Sequence, residues 1–259
     1  MGAMNKYFPP SGAALPQIFF EVPQYNTWMQ LVYDQSQEGV LAYARSILEN
    51  GFKPGIMMID EGWQKEYGIW EFDPIKFSEP KKMVDELHAM GFKVMLWVVP
   101  YVRADGKHFV KHAFPYLNKE DVDDFFLRTE KNEIAISGWW NGFSATLDMT
   151  KECDRRYLDE QLRALQENYG IDGFKFDGGA VDCYSETCLI NKGSLNKDFT
   201  AHERNIAWNE FGTKYPYHEY KDTYKGGGKR SIQRICDRRH NWNMEGINTL
   251  VCPHPQKTT

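Results

Sequence analysis

The chain has 259 residues and a net charge of −5, with 31 lysines and arginines interspersed among 36 acids, so no basic stripe marks a nucleic-acid surface. No apolar run approaches the ~20 residues that span a bilayer, and residues 1–10 lack the apolar core of a leader, which argues against a membrane partner and predicts a cytoplasmic location. The five scattered cysteines have no CxxC spacing and no HxH or HExxH appears, so neither a disulfide framework nor a metal site is suggested and no cofactor is expected.

Residues 1–22 read as an N-terminal remnant or linker. A strand end follows within 24–31, carrying Asn26 and Trp28. Then the chain repeats one grammar, in which an amphipathic helix stops at a glycine and an apolar strand follows. The first unit has a stripe of Val40, Ala44, Ile47 and Leu48, a stop at Gly51, and an apolar strand over 56–59 leading to Asp60. Residues 63–80 mix aromatic, acidic and proline residues without period, as expected of an excursion over one end of the fold. The second unit has Met83, Leu87 and Met90, a stop at Gly91, and a strand over 94–99. Residues 105–146 are irregular again, with a short acidic helix expected around 120–126 and an aromatic loop at Trp139, Trp140 and Asn141. The third unit has Leu158, Leu162, Leu165 and Tyr169, a stop at Gly170, and a strand that ends at Asp177. A helix over 200–211, a strand over 218–220 and a short apolar strand before Asp237 complete the pattern, and 253–259 read as an unstructured tail.

Strands alternating with helices predict a parallel sheet, either doubly wound or closed as a TIM-type barrel. No GxGxxG follows a strand, whereas polar residues gather at strand C-terminal ends, where barrel enzymes place their chemistry. The expected fold is an α/β TIM-type (β/α)8 barrel over 23–252, incomplete because only about six of its eight βα units are present. An aromatic content of 15%, with eight tryptophans, several of them near acids, suits a small carbohydrate substrate, although large aromatics also serve cores.

Asp177 stands out. Strand alternation places Lys175 and Asp177 on one side and Phe174 and Phe176 on the other. A neighbouring ammonium favours the ionised carboxylate that a nucleophile requires, but the same pair can simply close a barrel interior. Displacement at a sugar carbon with retention also needs a second carboxyl about 5 to 5.5 Å away. Asp237 is the natural candidate, since it too lies where a short apolar strand gives way to a polar loop. Arg238 and Arg239 beside it leave a surface Asp–Arg pair as the other reading.

The ordered set Gln24-Tyr25-Asn26-Thr27-Trp28, Met58-Ile59-Asp60-Glu61-Gly62-Trp63, Met95-Leu96-Trp97, Gly173-Phe174-Lys175-Phe176-Asp177-Gly178-Gly179 and 237–242 resembles glycoside hydrolase family 31. The resemblance implies a retaining α-glycosidase with Asp177 as nucleophile and Asp237 as acid/base. It further implies that Asp60 holds sugar hydroxyls and that Trp63, Trp97, Lys175, Arg234 and His240 line the pocket. Asp177-Gly178-Gly179-Ala180 departs from the Asp-Met-Asn-Glu of the α-glucosidase branch and is closer to the branch containing the myogenesis-regulating glycosidase, so the sugar stays open. Family members also carry a β-sandwich before the barrel and two βα units after the acid/base. The expectation is therefore a fragment, inactive unless missing segments or a homo-oligomer complete the barrel.

Overall fold

The computed structural model describes residues 2–7, 9, 11–12, 14–113, 124–185, 189, 193–226 and 231–234. Its strands, in chain order, are β1 (Gln24–Asn26), β2 (Ile56–Ile59), β3 (Gln64–Glu66), β4 (Ile69–Phe72), β5 (Lys93–Val98), β6 (Tyr101–Arg103), β7 (Ile136–Trp139), β8 (Gly142–Thr146), β9 (Gly173–Phe176) and β10 (Tyr217–Tyr220). A parallel sheet runs β1-β2-β5-β9-β10. Its strands lie side by side in the order in which the chain makes them, as in a barrel wall, with none of the reversal that defines a doubly wound sheet. Beyond β10, Tyr220 bridges Gln233 in parallel: Tyr220 N donates to Ile232 O at 2.8 Å and Arg234 N to Tyr220 O at 2.9 Å. Among the described residues, five strands and the start of a sixth make an incomplete barrel, in line with the sequence.

The helices Gln37–Glu49, Pro80–Ala89, Glu152–Tyr169 and Ala201–Gly212 precede β2, β5, β9 and β10. Gly51, Gly91 and Gly170 follow the first three of these helices, as the stop signals require. Ser36 caps the first by accepting from Gly39 N, and Thr200 with Glu203 forms a reciprocal capping box on the last. Alternation divides the sheet residues between two environments. Met57, Ile59, Val94, Leu96, Phe174, Phe176 and Tyr220 pack outward in one core with Val40, Met83, Leu158, Leu162 and Trp208 of the helices. Ile56, Met58 and Met95 point inward, where Ile18, Phe19 and Tyr217 cover them and make an apolar floor. The polar residues begin one step above that floor.

Two excursions leave the C-terminal side of the sheet. The segment 63–80, aperiodic in sequence, contains the antiparallel hairpin β3–β4, anchored by buried Trp63, Trp70, Phe72 and Phe77. Its strands are three and four residues long, too short to show a period. The second excursion is a three-stranded antiparallel sheet, β6-β8-β7. Of the acidic helix expected around 120–126, residues 120–123 lie outside the described residues, and 124–126 are not helical. There Phe125 and Phe126 pack into the core, and Phe126 N donates to Asp154 Oδ1 at 3.1 Å. Among the described residues no helix is long and apolar enough to cross a membrane.

The last strand is fastened to its helix at one crowded point. Tyr220 Oη donates to Asn209 O at 2.7 Å and to Trp208 O at 3.1 Å, taking up carbonyls near the helix end. A Cβ on Gly212 would stand 2.1 Å from that hydroxyl and 2.4 Å from Phe176 Cε2. Gly212→Ala is expected to destabilise the protein by about 1–3 kcal/mol, read as a lower urea midpoint with an unchanged slope.

Candidate active site

The register decides which side chains meet. Trp97 pairs with Lys175 and Lys175 with Glu219. Carried one residue past Ile59↔Leu96, it brings Asp60 beside Trp97, and past Tyr220↔Phe176 it brings Lys221 beside Asp177. Directly above the apolar floor, the interior therefore carries a row of Asp60, Trp97, Lys175 and Glu219, then Asp177 and Lys221.

Lys175 forms its ion pair with Asp60 rather than with Asp177, through Asp60 Oδ2. The same oxygen accepts from Asn26 Nδ2 at 2.7 Å, and Asp60 N donates to Thr27 Oγ1 at 3.0 Å. Asp60 is thus clamped between β1 and β9. Asp177 takes other partners. Its Oδ2 accepts from Trp97 Nε1 at 2.9 Å and from Arg234 Nη2 at 3.3 Å. Its Oδ1 accepts from Gly178 N at 2.8 Å and lies 3.6 Å from Lys221 Nζ. Burial pushes the Asp177 carboxyl up, but Lys221, Lys175 and Arg234, with the Trp97 indole, outweigh it and hold the group below the usual aspartate range. The outcome is a buried carboxylate, 5% exposed, that stays ionised.

Of the other sequence-predicted residues, Trp63 is fully buried and reaches the site only indirectly, its Nε1 donating to Trp97 O at 2.8 Å. Its ring packs edge-on against Phe72. Arg234, whose Nη2 reaches Asp177, also approaches Glu219, Nε to Oε1 at 3.8 Å. Asp237 and His240 lie outside the described residues.

Three residues of the site escaped the sequence reading. Lys221 and Glu219 sit on β10 or just past it, and their alternation with Tyr220 was a usable signal. Burial raises the Glu219 carboxyl, with Lys175 and Arg234 opposing and Asp60 and Asp177 reinforcing. The third is Glu61, next to Asp60, which binds the two excursions together. Its carboxylate accepts from Tyr67 Oη at 2.9 Å on the β3–β4 hairpin. It also accepts from Trp140 Nε1 at 2.9 Å and from Asn141 Nδ2 at the β7–β8 tip. Lys221 Nζ stands 5.2 Å from the Trp140 ring centroid, so this tip crosses from the β2 side to the β10 side above Asp177. A cleft of about 660 Å³, lined in part by Tyr67, Arg103, Asn141 and Phe143, opens beside it.

Comparison with known proteins shows the family and agrees with the barrel fold. The sequence profile described as the glycosyl hydrolases family 31 TIM-barrel domain matches residues 13–240. The myogenesis-regulating glycosidase of Mus musculus is 31% identical over 259 residues, covering 96% of this chain and 33% of its own length. The 1,3-alpha-isomaltosidase of Kribbella flavida is 27% identical, over 66% of this chain and 20% of its own. Among solved structures, the cycloalternan-degrading enzyme from Trueperella pyogenes in complex with covalent intermediate superposes with a TM-score of 0.71 at 18% identity, over 96% of this chain and 36% of that one. The chain thus spans about a third of the length of the mouse relative and a fifth of that of the Kribbella one.

The Glu61 cluster yields a pH signature. Burial pushes its carboxyl up to about 7, against hydrogen bonds from Trp140 and Tyr67 and helped by the charges of Asp60 and Asp177. A folded pKa above the unfolded one means that the stabilising contribution is fully present below the ordinary glutamate value and is lost as pH rises through about 7. Urea unfolding of wild type and Glu61→Gln at pH about 5 and about 8 should show wild type losing stability relative to the variant at the higher pH. Parallel stability curves would exclude Glu61 as the titrating group.

Proposed function

The chain belongs to glycoside hydrolase family 31, and from that premise we propose that it carries the catalytic centre of a retaining α-glycosidase, with Asp177 as nucleophile and Asp237 as acid/base. The observation that carries this reading is the state of Asp177: a carboxylate at a barrel strand end, buried yet kept ionised by Lys221, Lys175 and Arg234. An oxygen of Asp177 attacks the anomeric carbon and forms an ester bond as the bond to the aglycone oxygen breaks. The protonated carboxyl of Asp237 gives its proton to that leaving oxygen. Water then attacks the same carbon and loses a proton to Asp237, and the ester bond breaks to regenerate the Asp177 carboxylate. The Trueperella relative, solved with a covalent intermediate, supports this two-step course.

The other residues take supporting parts. Asp60, held by Asn26 and Lys175, presents its carboxylate to sugar hydroxyls. Trp97 and Arg234 orient the Asp177 oxygen they share, and Trp63 backs Trp97 from the core. His240 joins the pocket wall on the strength of its motif. The substrate is a small carbohydrate with an α-linked terminal sugar. Relatives that act as an isomaltosidase and an alpha-xylosidase differ in that sugar, so its identity is a matter for a panel of substrates.

Incubation of the full chain with activated 5-fluoro α-glycosides of several sugars, followed by peptide mass spectrometry, should locate an adduct on Asp177 and name the sugar. Asp177→Ala should abolish both adduct and turnover. No adduct with any sugar would favour a carbohydrate-binding remnant instead. Asp237→Ala should slow substrates with poor leaving groups by about 10²–10⁴-fold and activated ones much less. Because the Asp177 pKa is lowered, the acid limb of kcat/KM should fall below the ordinary aspartate range.

A further inference from the structure

The turn after Asp177 and the loop after Lys221 meet at one buried side chain. Asn205, fully buried on the helix Ala201–Gly212, donates Nδ2 to Gly179 O at 2.7 Å. Its Oδ1 accepts from Tyr224 N at 2.8 Å and from Asn209 Nδ2 at 2.9 Å. A carbonyl can only accept and a backbone N–H can only donate, so these two partners fix which way the amide points.

The turn needs such a hold. Gly178 and Gly179 both have left-handed φ, 61° and 62°, and neither has a side chain with which to anchor itself. A Cβ on Gly179 would stand 2.4 Å from Trp208 Cδ1, so the turn presses on the same helix three residues beyond Asn205. On the other side, Lys221 N donates to Phe176 O at 3.2 Å, and Thr223 Oγ1 donates to Gln233 Oε1 at 2.6 Å, next to Arg234. The loop held at Tyr224 therefore carries one cation of Asp177 and braces the segment that carries another.

We propose that Asn205 is a positioning residue: it ties the Gly178–Gly179 turn to the loop after β10, so that Asp177, Lys221 and Arg234 keep a single geometry. Its consequence for catalysis rests on the nucleophile role proposed above, whereas the tether itself does not. Among the described residues, the groups facing Asp177 are the cations Lys175, Lys221 and Arg234 and the Trp97 indole, with Glu61 and Glu219 as the neighbouring acids. Loosening the loop withdraws Lys221 and Arg234 but leaves Lys175, which belongs to β9.

The test compares wild type, Asn205→Ala and Asn209→Ala as the full chain. The Asp177 carboxyl is followed by 13C NMR, with its resonance assigned by Asp177→Asn, and amide exchange is followed at Tyr224. In Asn205→Ala the Asp177 midpoint should rise toward the ordinary aspartate range, and Tyr224 should exchange at least about tenfold faster. With a reactive glycoside, kcat should fall about 10²-fold with KM nearly unchanged. Asn209→Ala keeps both backbone contacts of Asn205 and should stay close to wild type. An unchanged midpoint in a folded Asn205→Ala overturns the proposal. If that variant does not fold by near-UV circular dichroism, wild type decides: strong protection of the Tyr224 amide supports the tether and free-loop exchange overturns it. Titration and exchange need no substrate, so a wild type that turns over no glycoside defeats the assigned reaction while the tether is still judged.

Discussion

Four carboxyl groups, on Asp60, Glu61, Asp177 and Glu219, are buried at the ends of neighbouring strands, and the cations among them make that burial tolerable. An isolated buried carboxylate is so costly that it takes up a proton. Here the cations are distributed unequally. Among the described residues, Asp60 has Lys175, Asp177 has Lys221 and Arg234 close by, and the donors to Glu61 are neutral. Asp177 is held ionised by its cations, whereas burial pushes Glu61 up, and Glu219 up against Lys175 and Arg234. Groups of one chemical type are thereby separated into different states by their neighbours.

That distribution depends on the rest of the fold. The helices supply an apolar outer face against which β2, β5 and β9 pack, and this packing locks the register. A slip of one residue would turn Lys175 and Asp177 into the helix layer and Phe174 and Phe176 into the interior. The apolar floor of Ile56, Met58 and Met95 sets the depth at which polar groups begin. The two excursions then close over the polar row from above, fastened at Glu61, whose partners come from both.

Much of the barrel wall was legible in the sequence because it rests on local periodicity. The stripes ending at Gly51, Gly91 and Gly170 and the apolar strands after them require no knowledge of distant contacts. The excursions were legible as aperiodic segments but not the strands within them, since β3 and β4 are short and owe their form to Trp63, Trp70 and Phe72 reaching the core. Residues 124–126, at the end of the expected acidic helix, are not helical, because Phe125 and Phe126 are worth more buried in the core than exposed on a short helix.

For the site, the sequence by itself determined which carboxylates stand at strand ends, since alternation and the apolar-to-polar break are properties of the segment alone: Asp60 and Asp177 were found in this way. Tertiary structure decided which charge belongs to which. Lys175 is two residues from Asp177 in sequence, yet its ammonium reaches across the sheet to pair with Asp60, and the ion pairs of Asp177 come from Lys221 and Arg234, 44 and 57 residues further on. The physical reason is that an ion pair is made by side-chain reach across a parallel register, and that register is set by the packing of helices that lie far apart along the chain.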